Sequence, residues 1–118
     1  MDTRTKIVSA VEAMRMAEAG ALVVSGYFDP LLAAHAERLR GLKREGAALI
    51  VAISEPQDPI LPARARAELL AGLAVVDRVV ESAEALKIDV HLEAEDAHRL
   101  DSLIEHVHAR SLAGKTQR

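Results

Sequence analysis

The stretch that decides the fold is LVVSGYFDPLLAAH, residues 22–35. A short apolar run rich in β-branched residues stops at Gly26, a Phe-Asp-Pro turn follows, and a helical pattern then begins. This order predicts a strand, a tight turn and a helix N-terminus. In an α/β sheet such a junction opens onto the ligand crevice at the carboxyl edge of the strands. Unpaired N–H groups and the dipole at the helix start favour an anion there.

The rest of the chain alternates between helical and strand patterns. We predict helices over 10–19, 31–44, 63–73 and 95–112, and strands over 21–25, 47–53, 75–80 and 88–92. The run 47–53 is continuously apolar, which is typical of a parallel strand covered on both faces. Successive strand–helix–strand units imply right-handed crossovers. The expected fold is a three-layer α/β/α sandwich, Rossmann-like, with a doubly wound parallel sheet of four or five strands.

Composition limits the classes of function. A chain of 118 residues suits a single domain, 1–118, with a polar tail at 113–118. A net charge of −3 without a long basic run argues against a nucleic-acid surface. Cysteine is absent, which removes disulfides and thiolate chemistry. No apolar run approaches the ~20 residues that span a bilayer, and the amino terminus lacks a signal-peptide pattern. We expect a cytoplasmic protein with no membrane partner.

Several side chains receive a structural prediction from spacing alone. Ser9 is expected to cap the first helix, and Val11 and Met14 to face the core. In the third helix Leu69 is expected to point inward, whereas Arg66 lies off the apolar stripe and is expected to hold a surface ion pair of small worth.

Residues 26–35 resemble the signature of the cytidylyltransferase-like nucleotidyltransferases, G-x-F-D-x-x-H-x-G-H. The positions that fit are Gly26, Phe28, Asp29 and His35. Leu32 stands where the signature has its first histidine, and Ala34 where it has its second glycine. Two later stretches also resemble the family: the helix ARAELL at 65–70 and VDRVV at 76–80. The resemblance covers roughly residues 6–80.

The resemblance implies a nucleotide site and the residues that form it. The nucleotide-binding candidates are Ser25, Gly26, Tyr27, Phe28, Asp29, His35 and Arg66, and His35 is also the catalytic candidate. An active member would use ATP or CTP with Mg²⁺. Histidine spacing predicts no protein-held metal site, because His106 and His108 lie two apart on a helix and face different ways.

The phosphate-handling part of this pattern is damaged. Leu32 cannot donate a hydrogen bond, Ala34 adds a methyl group where the nucleotide would approach the backbone, and Asp58 replaces an arginine. The loop 54–59 contains no lysine or arginine. Acids at 93, 95 and 96 stand where the family has a Ser/Thr-rich turn, and they would repel a triphosphate.

Structural roles compete with the functional ones. His35 also fits a partly buried helix residue without a ligand, and Asp29 fits the cap of a helix begun by Pro30. The acids at 93–96 fit a solvated helix N-terminus.

Three functional interpretations therefore stand. The first is a nucleotidyltransferase-like nucleotide- or phosphate-binding module that is catalytically weak or inactive. The second is an active enzyme that transfers AMP or CMP to a phosphorylated small molecule. The third is a structural domain without a ligand that assembles as a homodimer through apolar helix faces.

Overall fold

The computed structural model describes residues 2–95. Most of the predicted final helix and the polar tail lie outside these residues. After a 3-10 turn at Thr3–Lys6, the helices are α1 (Ala10–Glu18), α2 (Ala33–Leu42) and α3 (Ala63–Ala71). The strands are β1 (Leu22–Gly26), β2 (Leu49–Ile53), β3 (Arg78–Val80) and β4 (Val90–His91).

The four strands form one parallel sheet in the order β3-β2-β1-β4. Val24 of β1 lies opposite Val51 of β2 on one side and opposite Val90 of β4 on the other. The chain builds β1, β2 and β3 outward in one direction and then returns to place β4 beside β1. The direction of winding thus changes between β1 and β4, and in open α/β sheets ligands bind at such a switch point.

Alternate residues of the buried strands divide the core into two layers. Val24 and Val51 pack on one face against Leu39 of α2 and Leu70 of α3. Val23 packs on the opposite face with Ala13 of α1 and with residues of the crossover 81–89. Every residue of β1 and β2 is buried. The predicted α/β sandwich with a doubly wound parallel sheet is confirmed, with the second layer made of α1 and an irregular crossover.

The first helix confirms its predicted cap and corrects its predicted core face. Ser9 Oγ accepts a hydrogen bond of 3.2 Å from Glu12 N–H, as the capping-box spacing indicates. Val11 and Met14 do not face the core, since they are 53% and 36% exposed. Ala13 is the fully buried residue of α1. A small side chain there lets the helix approach the sheet closely, and Val11 and Met14 lie on its exposed side.

Leu69 was also wrongly expected to face the core. It is 49% exposed, while Ala67, Leu70 and Ala71 form the buried side of α3. The stripe of α3 that meets the sheet therefore includes Leu70 but not Leu69.

Carboxylates fix the amino-terminal edge of the sheet. Asp77 accepts hydrogen bonds from the Leu49 N–H, at 2.7 Å, and from Lys43 Nζ. Asp89 accepts one of 2.8 Å from Val23 N–H. Burial opposes ionisation of Asp77, but the bonds from Lys43 and Leu49 outweigh it and hold the pKa of this carboxyl below its ordinary value.

No helix within residues 2–95 is long and apolar enough to cross a bilayer.

Candidate functional site

The turn between β1 and α2 is built around a buried aromatic ring. Phe28 is fully buried although its backbone φ is +48°, a left-handed conformation uncommon for such a residue. Its ring meets the His35 imidazole edge to face, with centroids 5.3 Å apart. Burial of the ring offsets the backbone strain, which typically costs about 1–3 kcal/mol. Phe28 is therefore a packing residue that shapes the turn.

His35 closes the start of α2. It is 3% exposed, and its Nδ1 accepts a hydrogen bond of 2.9 Å from the Leu32 N–H. This bond satisfies one of the N–H groups that a helix start leaves unpaired. An accepting Nδ1 places the proton of the neutral ring on Nε2. The structural interpretation of His35 thus has a definite contact behind it.

Asp29 does not cap the helix as expected. The helix begins at Ala33 with Leu32 at the capping position, three residues beyond the predicted start near Pro30. The Asp29 carboxylate instead accepts hydrogen bonds from Ile60 N–H at 2.6 Å and Leu61 N–H at 2.8 Å. Asp29 therefore ties the loop 54–62 to the β1–α2 turn.

Arg66 of α3 also bonds to the loop 54–62. Its predicted surface position was wrong. The side chain is fully buried. Its guanidinium donates to the carbonyl oxygens of Leu61, Tyr27 and Ser54, each at 3.0 Å, and to Glu55 Oε1 at 2.7 Å. Because these acceptors are all protein groups, Arg66 joins the ends of β1 and β2 and is not presented to solvent for a phosphate.

A polar cluster lies at the carboxyl ends of β1, β2 and β4. Ser54 Oγ donates a hydrogen bond of 2.6 Å to Glu93 Oε1. Ser25 Oγ lies 3.1 Å from His91 Nδ1. Burial opposes ionisation of Glu93, yet the hydrogen bonds from Ser25 and Ser54 prevail and lower its pKa below the ordinary value. Glu93 is therefore an ionised carboxylate that accepts a hydrogen bond from the Ser54 hydroxyl.

These four residues share one side of the sheet because of strand parity. Side chains alternate between faces, so Ser25 and Ser54 follow Val23 and Ala52 onto the face of the crossover 81–89. Sequence reasoning identified Ser25 but missed Ser54, His91 and Glu93. The sequence did contain a signal for them. Each of the three strands has a polar residue at or near its carboxyl end, and these polar residues point to the same face of the sheet.

A cleft of about 620 Å³ opens beside this cluster. Its lining comprises Ser25, Ile53, Ser54, Glu55, Glu81, Ser82, Ala83, Glu84, Leu86, Ile88, His91 and Glu93. Ser25 is the one predicted nucleotide-binding residue in this lining. The other predicted residues lie at the β1–α2 turn, except Arg66, which lies on α3 and bonds to that turn through the Tyr27 carbonyl oxygen. The structure therefore separates the signature turn from the open cleft.

The charge of the cleft is negative. Four glutamates and no lysine or arginine line it among residues 2–95. Glu55 is paired with Arg66, and Glu81 with Arg64 at 3.2 Å. Arg64, an exposed cation next to this edge, is also paired with Glu68. In the part of the chain that the structure describes, no group of three or more His, Asp or Glu side chains is arranged to hold a metal ion.

Comparison with known proteins leaves the family open. No family model matches the chain, and no curated protein matches it either. The fold class is thus established by the sheet, and the resemblance of residues 26–35 to a signature supports a proposal.

Proposed function

We propose that this domain is nucleotidyltransferase-like and binds a nucleotide-type ligand at the carboxyl edge of its sheet without transferring a nucleotidyl group at a useful rate. The observation that carries the proposal is the cleft at the β1–β4 switch point, whose lining within residues 2–95 includes four glutamates and three serines and no lysine or arginine. The cleft favours ligand binding. Its charge opposes nucleotidyl transfer.

The chemistry of nucleotidyl transfer gives the physical reason. The transition state and the leaving pyrophosphate are rich in negative charge, so they need positive charge or hydrogen-bond donors in place. Here Leu32 replaces a donor, and Arg66 spends its donors on main-chain carbonyls. One phosphate charge about 6 Å from one carboxylate costs about 3 kcal/mol at an effective dielectric constant near 20. Several such pairs together would suppress turnover.

Two kinds of experiment test this proposal. Calorimetric titration with adenosine, cytidine and their triphosphates, the latter with Mg²⁺, is expected to show binding of at least one compound. A pyrophosphate-release assay with ATP or CTP and glycerol phosphate or a sugar phosphate is expected to show no turnover. Failure of all four compounds to bind at millimolar concentration would refute the binding module.

Restoring the signature should not restore activity. The double variant Leu32→His, Ala34→Gly places the family's residues at the helix start, but it leaves the acidic cleft and the buried Arg66 unchanged. We expect no detectable pyrophosphate release from it. Measurable release would show that the turn alone was limiting and would favour an active nucleotidyltransferase.

A structural domain that assembles with a second copy is the second candidate. The observation in its favour is a set of exposed apolar side chains: Val11, Leu32, Ile60 and Leu69, of which Ile60 is 68% exposed. Sedimentation equilibrium across a wide concentration range tests it. A dimer together with no ligand binding would favour assembly over the binding module. The cytoplasmic location stays a prediction.

A further inference from the structure

We infer that the cleft takes a neutral ribonucleoside and discriminates against the same nucleoside carrying a triphosphate. The inference rests on the proposed function and specifies its ligand class. It follows from three properties of the cleft: an apolar wall, an ionised carboxylate held in a fixed position, and carboxylates that lack a strong cationic partner.

The apolar surface open to a flat base comes from Ala83 and Ile88, which line the cleft and are partly exposed. Ile53 and Leu86 also line the cleft but are buried, at 2% and 9% exposed. Leu86 and Ile88 belong to the crossover 81–89, and both pack in the core layer on that face of the sheet. A volume of about 620 Å³ lies within the range of small-molecule pockets.

Glu93 supplies the oriented polar group. A carboxylate has about four acceptor positions, and the hydroxyl of Ser54 occupies one of them. This bond orients the carboxylate and leaves acceptor capacity for a ligand. Vicinal ribose hydroxyls are suitable donors, and dinucleotide-binding Rossmann folds use an acidic residue to bind a ribose hydroxyl.

The remaining charges act against phosphate. Within residues 2–95, Glu84 and Glu93 form no ion pair with a lysine or arginine, and His91 Nδ1 lies 3.6 Å from Glu93 Oε2. A triphosphate in the cleft would therefore bring its charges close to uncompensated carboxylates. A nucleoside carries no phosphate charge, so the carboxylates do not repel it.

The test compares nucleosides with their triphosphates on the full chain. Adenosine and cytidine are titrated by calorimetry or by NMR, followed by ATP and CTP with Mg²⁺, all at low ionic strength. We expect at least one nucleoside to bind ten-fold or more tightly than its triphosphate. The ratio of the two affinities should become smaller at high salt, because salt screens charge repulsion. A triphosphate that binds as tightly as its nucleoside would overturn the inference and leave the binding module intact. Absence of binding by all four compounds would overturn both.

A charge reversal at the rim provides an independent check that does not depend on Glu93. Glu84 is exposed and lines the cleft, so Glu84→Lys should leave the fold intact while adding a cation. We expect it to reduce the nucleoside preference at least five-fold. Glu45→Lys, the same change on an exposed turn at the opposite edge of the sheet, is the matched control and should leave the preference unchanged. Equal effects of the two variants would show that net charge, and not the cleft, governs binding.

Discussion

Replacing Arg66 with methionine should destabilise the fold far more than the same replacement two residues earlier. Methionine has an unbranched chain that fills much of the same space but donates no hydrogen bond. In Arg66→Met the carbonyl oxygens of Leu61, Tyr27 and Ser54 would lose their donor inside the protein. Arg64→Met is the matched control, because Arg64 is exposed and makes only surface ion pairs.

The expected magnitude follows from the contacts. An unsatisfied buried acceptor typically costs about 1–3 kcal/mol, and three acceptors are affected. Removal of a buried charge returns part of this cost, and Glu55, which is 59% exposed, regains water. We therefore expect a net loss of about 3 kcal/mol in the free energy of unfolding. The surface control should lose far less, because ion pairs in contact with water contribute little to stability.

Urea denaturation followed by circular dichroism measures the difference. For a slope of about 1.5 kcal/mol per molar urea, a loss of 3 kcal/mol lowers the midpoint by about 2 M. Arg66→Lys keeps the charge but loses the planar fork, so its midpoint should fall between wild type and Arg66→Met. If Arg66→Met and Arg64→Met had midpoints within experimental error of each other, the argument for a buried clamp would be refuted.

Two further predictions concern the carboxylates. Asp77 and Glu93 both have folded-state pKa values below their ordinary ones, so the stability they contribute is present above the ordinary carboxyl range and is lost as pH falls through the lowered folded-state values. Urea midpoints should be level from pH 7 to about pH 5 and fall below about pH 4, and Asp77→Asn should flatten this dependence; an unchanged slope in that variant would contradict the assignment. Asp29→Ala should speed amide hydrogen exchange at Ile60 and Leu61 at least ten-fold, because both N–H groups lose their acceptor. Unchanged exchange would show that other contacts hold the loop.

The architecture was predictable because its signals are local. The continuously apolar run 47–53 indicated a strand covered on both faces, and β2 is buried along its whole length. Ser9 and Glu12 stand in a spacing that forms a cap, and the cap is present. Element ends were less predictable: β3 is confined to Arg78–Val80 within the expected 75–80. Strand bounds depend on pairing partners, which sequence periodicity does not contain.

The candidate site was only partly predictable. Spacing identified the β1–α2 junction, and Gly26, Phe28 and His35 lie at it. The sequence also predicted that Arg66 lies on the surface and that Asp29 caps the helix begun by Pro30, and both predictions were wrong. The errors have one cause. Each side chain bonds to groups more than ten residues away, such as Ile60 for Asp29 and Tyr27 for Arg66.

By itself, the sequence determined the alternation of strands and helices, since that depends on which residue types stand where along the chain. Tertiary structure decided which polar groups meet. Ser54 and Glu93 are 39 positions apart and bond at 2.6 Å because β2 and β4 flank β1 in a parallel sheet. The order of strands brings their carboxyl ends to one edge, and side-chain parity selects the face. Strand order and side-chain parity together place Ser25, Ser54 and Glu93 in one cleft.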